Sequence, residues 1–231
     1  MLHREETGSG EPLVLVHGAW ADGRHWTRLA RELADGFRVV SYDRRGHGRS
    51  GGAHGTIGDD AQDLLELIAD LGGRAHVVAG SLGGTIALSA ATKEPAAVTS
   101  LAVHEPALPA LMGGAPQAPE RIPSAKEFAE DSLGEGAWER LTEEERKGFE
   151  DNGDVWAAEL ADATAGAVRP EPLPMPLLVT IGGVSPPFWR KVAEQIPGAT
   201  IEEIPGAGHL PHLTHAREYA AAIAPFAGPT R

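Results

Sequence analysis

His76-Val77-Val78-Ala79-Gly80-Ser81-Leu82-Gly83-Gly84 is the stretch on which the reading of this chain turns. An apolar run enters a serine flanked by small residues, and an alanine-rich helix (Thr85-Ile86-Ala87-Leu88-Ser89-Ala90-Ala91) follows at once. A strand that turns sharply into a helix at a serine is the context a nucleophile elbow requires. So tight a turn needs small residues two before and two after the serine, and Ala79 and Gly83 stand there. It holds the serine in a strained backbone region. The amides behind it open a helix N-terminus, which favours developing negative charge. Ala79 replaces the first glycine of Gly-x-Ser-x-Gly. An ordinary turn with a capping serine would show the same local pattern, so the rest of the chain must decide.

Before the elbow, residues 1–10 are polar and predict one short edge strand. Residues 12–16 (Pro-Leu-Val-Leu-Val) form a continuous apolar run ending at His17-Gly18. Such a run suits a strand buried on both faces of a parallel sheet. Residues 23–35 carry Trp26, Leu29, Ala30 and Leu33 at helical spacing. A strand over 38–42 leads into the loop Asp43-Arg44-Arg45-Gly46-His47-Gly48-Arg49-Ser50. A helix over 56–71 starts with Asp59 and Asp60, as a helix N-terminus prefers. After the elbow helix, a strand over 99–104 runs into Glu105-Pro106.

Residues 107–174 break the alternation. They open with Pro109, Gly113, Gly114, Pro116, Pro119 and Pro123, carry helical patterns near 124–133, 137–150 and 154–165, and close on Pro170, Pro172 and Pro174. This reads as a helical insertion bounded by hinges. Strand 177–181, helix 187–196, strand 200–204, loop 205–209 and helix 214–226 complete the pattern. Strands alternating with helices predict an α/β fold, a mostly parallel sheet covered on both faces. The predicted domains are a core of 1–106 and 175–231 with a helical cap at 107–174, inserted before the last two strands.

The 231 residues suit one α/β domain with an insertion. With no cysteine, thiol catalysis, disulfides and Cys-ligated metals are excluded. A net charge of −13 argues against nucleic acid and anionic membrane surfaces as partners. No apolar run approaches the ~20 residues that span a bilayer. The N-terminus lacks an apolar leader region, so a cytoplasmic location is the expectation. No H-E-x-x-H or clustered His/Asp set is present, so neither metal nor cofactor is expected.

Four features now stand in one order: His17-Gly18 after an early strand, Asp43 to Ser50 after the next, Ser81 at the elbow, and Gly206-Ala207-Gly208-His209 after the last strand. Together they resemble the α/β-hydrolase fold superfamily, over nearly the whole chain outside the insertion. Within it the chain is most similar to small bacterial esterase and lactonase-type hydrolases. The resemblance implies that Ser81 is the nucleophile, that His209 is its general base, and that the backbone amides of Ala19 and Leu82 form the oxyanion hole. His17 and His47 read as structural. His212 and His215 are expected near the start of the last helix in solvated or capping roles.

The triad acid is open at this level. The superfamily's usual loop reads Gly182-Gly183-Val184-Ser185-Pro186-Pro187 and has no carboxylate. Part of the superfamily, including lactone hydrolases of the zearalenone-lactonase kind, keeps its acid after the preceding strand. Glu105 stands there, and the competing reading is a hinge salt bridge. Asp43 also ends a strand, but its arginine-rich loop suggests structural pairing. The candidate pocket residues are Gly18, Trp20, Leu108, Trp138, Trp156 and Leu210. Trp138, Trp156 and the insertion's other apolar side chains, Leu160 among them, would pack it and shape an apolar pocket.

The expected activity is cleavage of a carboxylic ester or lactone of a hydrophobic small molecule through an acyl-enzyme. A C–C hydrolase or acyltransferase on the same triad, and a ligand-binding protein with vestigial activity, are the alternatives. The expected assembly is a monomer or homodimer.

Overall fold

The computed structural model describes residues 2–112, 121–165 and 168–228, without the side chains of 160, 161 and 163–165. Gly113, Gly114, Pro116, Pro119 and the Leu160 side chain lie outside the described residues. In chain order the elements are β1 (Arg4–Thr7), β2 (Glu11–Val16), α1 (Thr27–Leu33), β3 (Phe37–Tyr42), α2 (Ile57–Asp70), β4 (Ala75–Gly80), α3 (Leu82–Lys93) and β5 (Val98–His104). Then come α4 (Ala125–Leu133), α5 (Ala137–Arg140), α6 (Glu143–Asp151), α7 (Trp156–Ala165), β6 (Leu177–Gly182), α8 (Phe188–Ala193), β7 (Thr200–Ile204), α9 (Pro211–Thr214) and α10 (Ala216–Phe226).

The described residues form a seven-stranded sheet in the order β1-β3-β2-β4-β5-β6-β7. Only β1 runs antiparallel, pairing with β3 at one edge. The chain leaves β2 toward β3 on one side and returns to β4 on the other, so the strand order reverses between β2 and β4. Open parallel sheets carry their sites at the carboxyl ends of strands beside such a reversal.

Every residue of β4 and of β6 is buried, which is why both are apolar but for His76 and Thr180. Alternate side chains supply two layers. Val14, Val16, Val77, Ala79 and Val103 pack under α2 and α3 against Leu64, Ile68 and Ile86. Leu13, Leu15, Val39, Val78 and Ala102 face α1 and α10, against Leu29, Leu33, Tyr219 and Ile223. A third cluster, built on Trp20, Ala129, Leu141, Phe149 and Leu213, joins α4–α6 to the ends of the strands.

Three expected helices are divided. Residues 23–35 begin as a 3₁₀ turn, Gly23–Trp26, because Asp22 caps the turn by accepting from the Arg24 amide. Residues 137–150 split at Leu141, whose backbone is extended (φ −71°, ψ 146°), and Thr142 caps α6 in a reciprocal box with Glu145. Residues 214–226 begin after His215, which is non-helical at φ −134°. Each break falls where a polar cap or an extended residue offers the backbone a better partner than a continued helix.

Candidate active site

Only three non-glycine residues among those described adopt positive φ: Trp20 (59°), Ser81 (52°) and Glu105 (43°). They follow β2, β4 and β5, so the strain is concentrated at one end of the sheet. Neighbouring backbone holds the Ser81 turn in place. Its amide donates to the His104 carbonyl at 2.9 Å, and its carbonyl accepts from Gly84 at 2.9 Å and Ala107 at 3.1 Å. Gly83 has no room for a side chain, since a Cβ there would lie 2.4 Å from the Val16 carbonyl oxygen and 2.6 Å from that of His17. This close approach sets the elbow against the turn after β2.

Glu105 is fully buried. One carboxylate oxygen accepts from the Gly182 amide at 2.9 Å, the other from His209 Nδ1 at 2.6 Å. Burial pushes the carboxyl up, but the His209 hydrogen bond and the nearby imidazoles outweigh it and hold Glu105 below the usual carboxylate range. The Ser185 hydroxyl adds a weaker pull from close by, though outside hydrogen-bond geometry. An ionised carboxylate only accepts, so Nδ1 carries the ring proton and Nε2 is left as the basic nitrogen. Trp189 of α8 stacks on the His209 ring at 5.1 Å and 17°, fixing the plane of the imidazole.

His104 supports this pair from below. Its Nδ1 accepts from Thr180 Oγ1 at 2.9 Å and its Nε2 donates to the Gly208 carbonyl at 3.2 Å, anchoring the loop that carries His209. Burial drives its pKa down to about 4. Burial also lowers His17, His25 and His212. A histidine held neutral in the fold but free to protonate when unfolded favours unfolding as pH falls below the unfolded value. Stability is therefore expected to drop from pH 6.5 toward pH 4, by on the order of 3 kcal/mol for His104 alone at the bottom of that window. Glu105 acts in the same direction, because its stabilisation fades as the carboxylate protonates. Thermal melts across pH 7.5 to 4.5 check this, and a flat profile would contradict the neutral-imidazole account.

The turn after β2 lies directly against the elbow. A Cβ on Gly18 would sit 3.0 Å from the Gly80 carbonyl and 3.1 Å from Ser81 Cβ. Leu82 opens α3, so its N–H has no partner within the helix. Asp43 is claimed by structure, as expected: it accepts from Gly23 N at 2.8 Å and from Arg49 N at 2.7 Å.

Ser81 and His209 line one narrow cavity with about 20 Å³ of interior room. Gly18, Ala19 and Leu210 line it with them, as do Trp26, Phe128 and Phe149. The other pocket candidates lie elsewhere. Leu108 is fully buried in the sheet core. Trp20 is buried and stacks on Phe128 at 4.9 Å. Trp156 packs on Trp20 at 6.0 Å and Trp138 on Phe149 at 6.5 Å, so both brace the wall from behind. Two histidines of the cavity, His25 and His212, were not placed there by the sequence. His25 donates from Nε2 to the Glu145 carbonyl at 2.8 Å. His212, expected to be solvated or capping, is buried against Trp26 at 4.2 Å. The available signal was proximity in the chain, since each follows a site motif by only a few residues.

The sequence profile of the alpha/beta hydrolase family matches residues 13–222, from β2 into α10. The chain belongs to the alpha/beta hydrolase family. This alpha/beta hydrolase is 35% identical over 137 residues to the Uncharacterized hydrolase YraK of Bacillus subtilis, a match covering 56% of this chain and 48% of that protein. It is 36% identical over 101 residues to the Pimeloyl-[acyl-carrier protein] methyl ester esterase of Nitrosomonas europaea, covering 43% and 39%. The chain thus spans about half the length, or less, of these curated relatives. A thermophilic esterase from Thermogutta terrifontis superposes with a TM-score of 0.72 at 28% identity, over 96% of this chain and 91% of that one. Among the described residues of this alpha/beta hydrolase, no helix is long and apolar enough to cross a membrane, and no group of three or more His, Asp or Glu could hold a metal ion.

Proposed function

We propose that this alpha/beta hydrolase is a serine hydrolase of carboxylic esters or lactones, working through an acyl-enzyme on Ser81, His209 and Glu105. The observation that carries the reading is the 2.6 Å hydrogen bond from His209 Nδ1 to a buried carboxylate, in a loop whose ring shares a cavity with an elbow serine. In this reading His209 Nε2 takes the Ser81 hydroxyl proton as Oγ attacks the substrate carbonyl carbon. The carbonyl π pair moves onto oxygen, and the amides of Ala19 and Leu82 stabilise that oxyanion. The resulting imidazolium, stabilised by Glu105, returns the proton to the departing alkoxide and leaves Ser81 acylated. Water then repeats the sequence, deprotonated by His209, and releases the acid and free Ser81.

The Nitrosomonas relative is named a methyl ester esterase and the Thermogutta protein is an esterase, and both likenesses support ester cleavage. The cavity is narrow and walled by Trp26, Phe128 and Phe149, which favours small, uncharged, apolar acyl groups. The helices between β5 and β6 would form a cap over it. Turnover of a panel of p-nitrophenyl esters and small or macrocyclic lactones, beside Ser81→Ala, tests the activity. No turnover of any member by the native chain would defeat the proposal.

Two further outcomes follow. Phe128→Ala opens the cavity wall and is expected to shift preference toward longer acyl chains, changing KM more than kcat for the short ones. An equal loss on every chain length would point instead to cap packing. Because protein groups carry every charge in the cycle, EDTA is expected to leave turnover unchanged. Loss to chelator with recovery on a divalent ion would contradict the mechanism.

A further inference from the structure

We infer that Arg44 is a positioning residue that ties the oxyanion turn to the cap, one guanidinium nitrogen holding both the Gly18 carbonyl and the cap carboxylate Glu159. The inference rests on the function proposed above and goes beyond it, by making the catalytic amide depend on where the cap sits.

Arg44 is 1% exposed, so its charge must be met by protein groups. Nη1 donates to Asp60 Oδ2 on α2 at 2.7 Å. Nη2 donates to the Gly18 carbonyl at 3.1 Å and also to Glu159 Oε1 on α7. The same Glu159 oxygen lies 3.1 Å from His47 Nε2. Asp60 alone would neutralise Arg44. The second carboxylate comes from the insertion and reaches the very nitrogen that grips Gly18.

The Gly18 carbonyl has a second donor, His17 Nδ1, at 2.9 Å. That tautomer is set by Arg44 as well, because its backbone N–H donates to His17 Nε2 at 2.9 Å. Side chain and backbone of one residue therefore converge on one carbonyl. In a planar trans peptide the C=O of Gly18 and the N–H of Ala19 are antiparallel and move as a unit. A grip on the carbonyl aims the Ala19 amide toward the position where the substrate oxyanion would form. With Glu159 gone, the guanidinium is drawn to Asp60 alone and its hold on Gly18 loosens.

A control lies on the same helix. Asp162 accepts from the Ile57 amide at 2.6 Å, tying α7 to α2 without touching Arg44 or Gly18.

The experiment compares wild type, Glu159→Gln and Asp162→Asn on one p-nitrophenyl ester. It measures kcat, KM, and the Ki of a trifluoromethyl ketone with the same acyl group, which binds serine as a tetrahedral oxyanion. Active sites are counted with a fluorophosphonate so that unfolded protein is excluded. Glu159→Gln is expected to lower kcat and weaken the ketone in parallel, by about 10–100-fold, with KM nearly unchanged, short of the 10²–10³ expected for outright loss of an oxyanion donor. Asp162→Asn is expected to alter KM and leave both of those within about twofold. If Glu159→Gln fails to fold, the triple change Arg44→Met, Asp60→Asn, Glu159→Gln removes the buried charges together, and it should show the same parallel loss per active site. A folded variant with native kcat and native ketone affinity would overturn the inference, as would equal losses in Asp162→Asn. A native chain that takes no fluorophosphonate at Ser81 would overturn it together with the proposed function, and so separates the two failures.

Discussion

Glu105→Gln is expected to fold normally and to lose on the order of 10³–10⁴ in kcat, as carboxylate loss does in serine triads. The geometry says why the effect should be so large. Glu105 Oε2 accepts from His209 Nδ1 at 2.6 Å while Oε1 is fixed by the Gly182 amide at 2.9 Å. A glutamine there keeps the size but brings an NH₂ group, which either faces the Gly182 N–H or donates to Nδ1 and reverses the tautomer of His209. Either arrangement weakens the base, and the imidazolium loses its countercharge. KM should change little, because Glu105 does not line the cavity shared by Ser81 and His209. Near-native kcat in a folded Glu105→Gln would remove Glu105 from the proposed triad and turn attention to a dyad assisted by Ser185, since Asp43 is taken up by Gly23 and Arg49.

The second large effect is expected at Gly83. Alanine there would press a methyl group to 2.4 Å from the Val16 carbonyl oxygen and 2.6 Å from that of His17. Both obstacles are backbone at the end of a central strand, so neither can rotate away. Overpacking of this kind costs about 1–3 kcal/mol, or more where nothing yields, which for a domain of this size lowers Tm by on the order of 5–10 °C. The surviving folded protein should be poor as well, because relief must push the elbow away from the Gly18–Ala19 turn. A misplacement near 1 Å is worth about 10²-fold in rate. Calorimetry and active-site titration of Gly83→Ala check both parts, and a variant with native Tm would refute the close packing of elbow and turn.

The strands were legible because parallel strands buried on both faces leave largely apolar runs, as in residues 12–16 and, but for Thr180, 177–181. Ser81 was legible because a tight elbow forbids side chains at Gly83. Glu105 and His209 became candidates only through the order of motifs and the missing carboxylate at Val184 and Ser185; the fold then brought their side chains into contact. Long-range pairing was hidden. Arg44 meets Glu159 across more than a hundred residues, and nothing local to Asp60 distinguishes a buried partner from a helix-terminal charge. Trp138 and Trp156 were favoured as pocket walls because large aromatics of a cap usually shape its cavity. Here the strained turn at Trp20 swings its indole onto Phe128, Trp156 packs on that stack, and Trp138 packs on Phe149. His25 and His212 were missed because a buried neutral imidazole has no sequence signature.

The most direct test of the account is covalent. The intact chain is treated with a fluorophosphonate, its mass is measured, the adduct is mapped by peptide sequencing, and ester turnover is followed on the same sample. The account predicts one adduct, on Ser81, accumulating in proportion to lost turnover, and none on Ser81→Ala. An adduct on another residue, or full turnover by an enzyme that never labels, would contradict it.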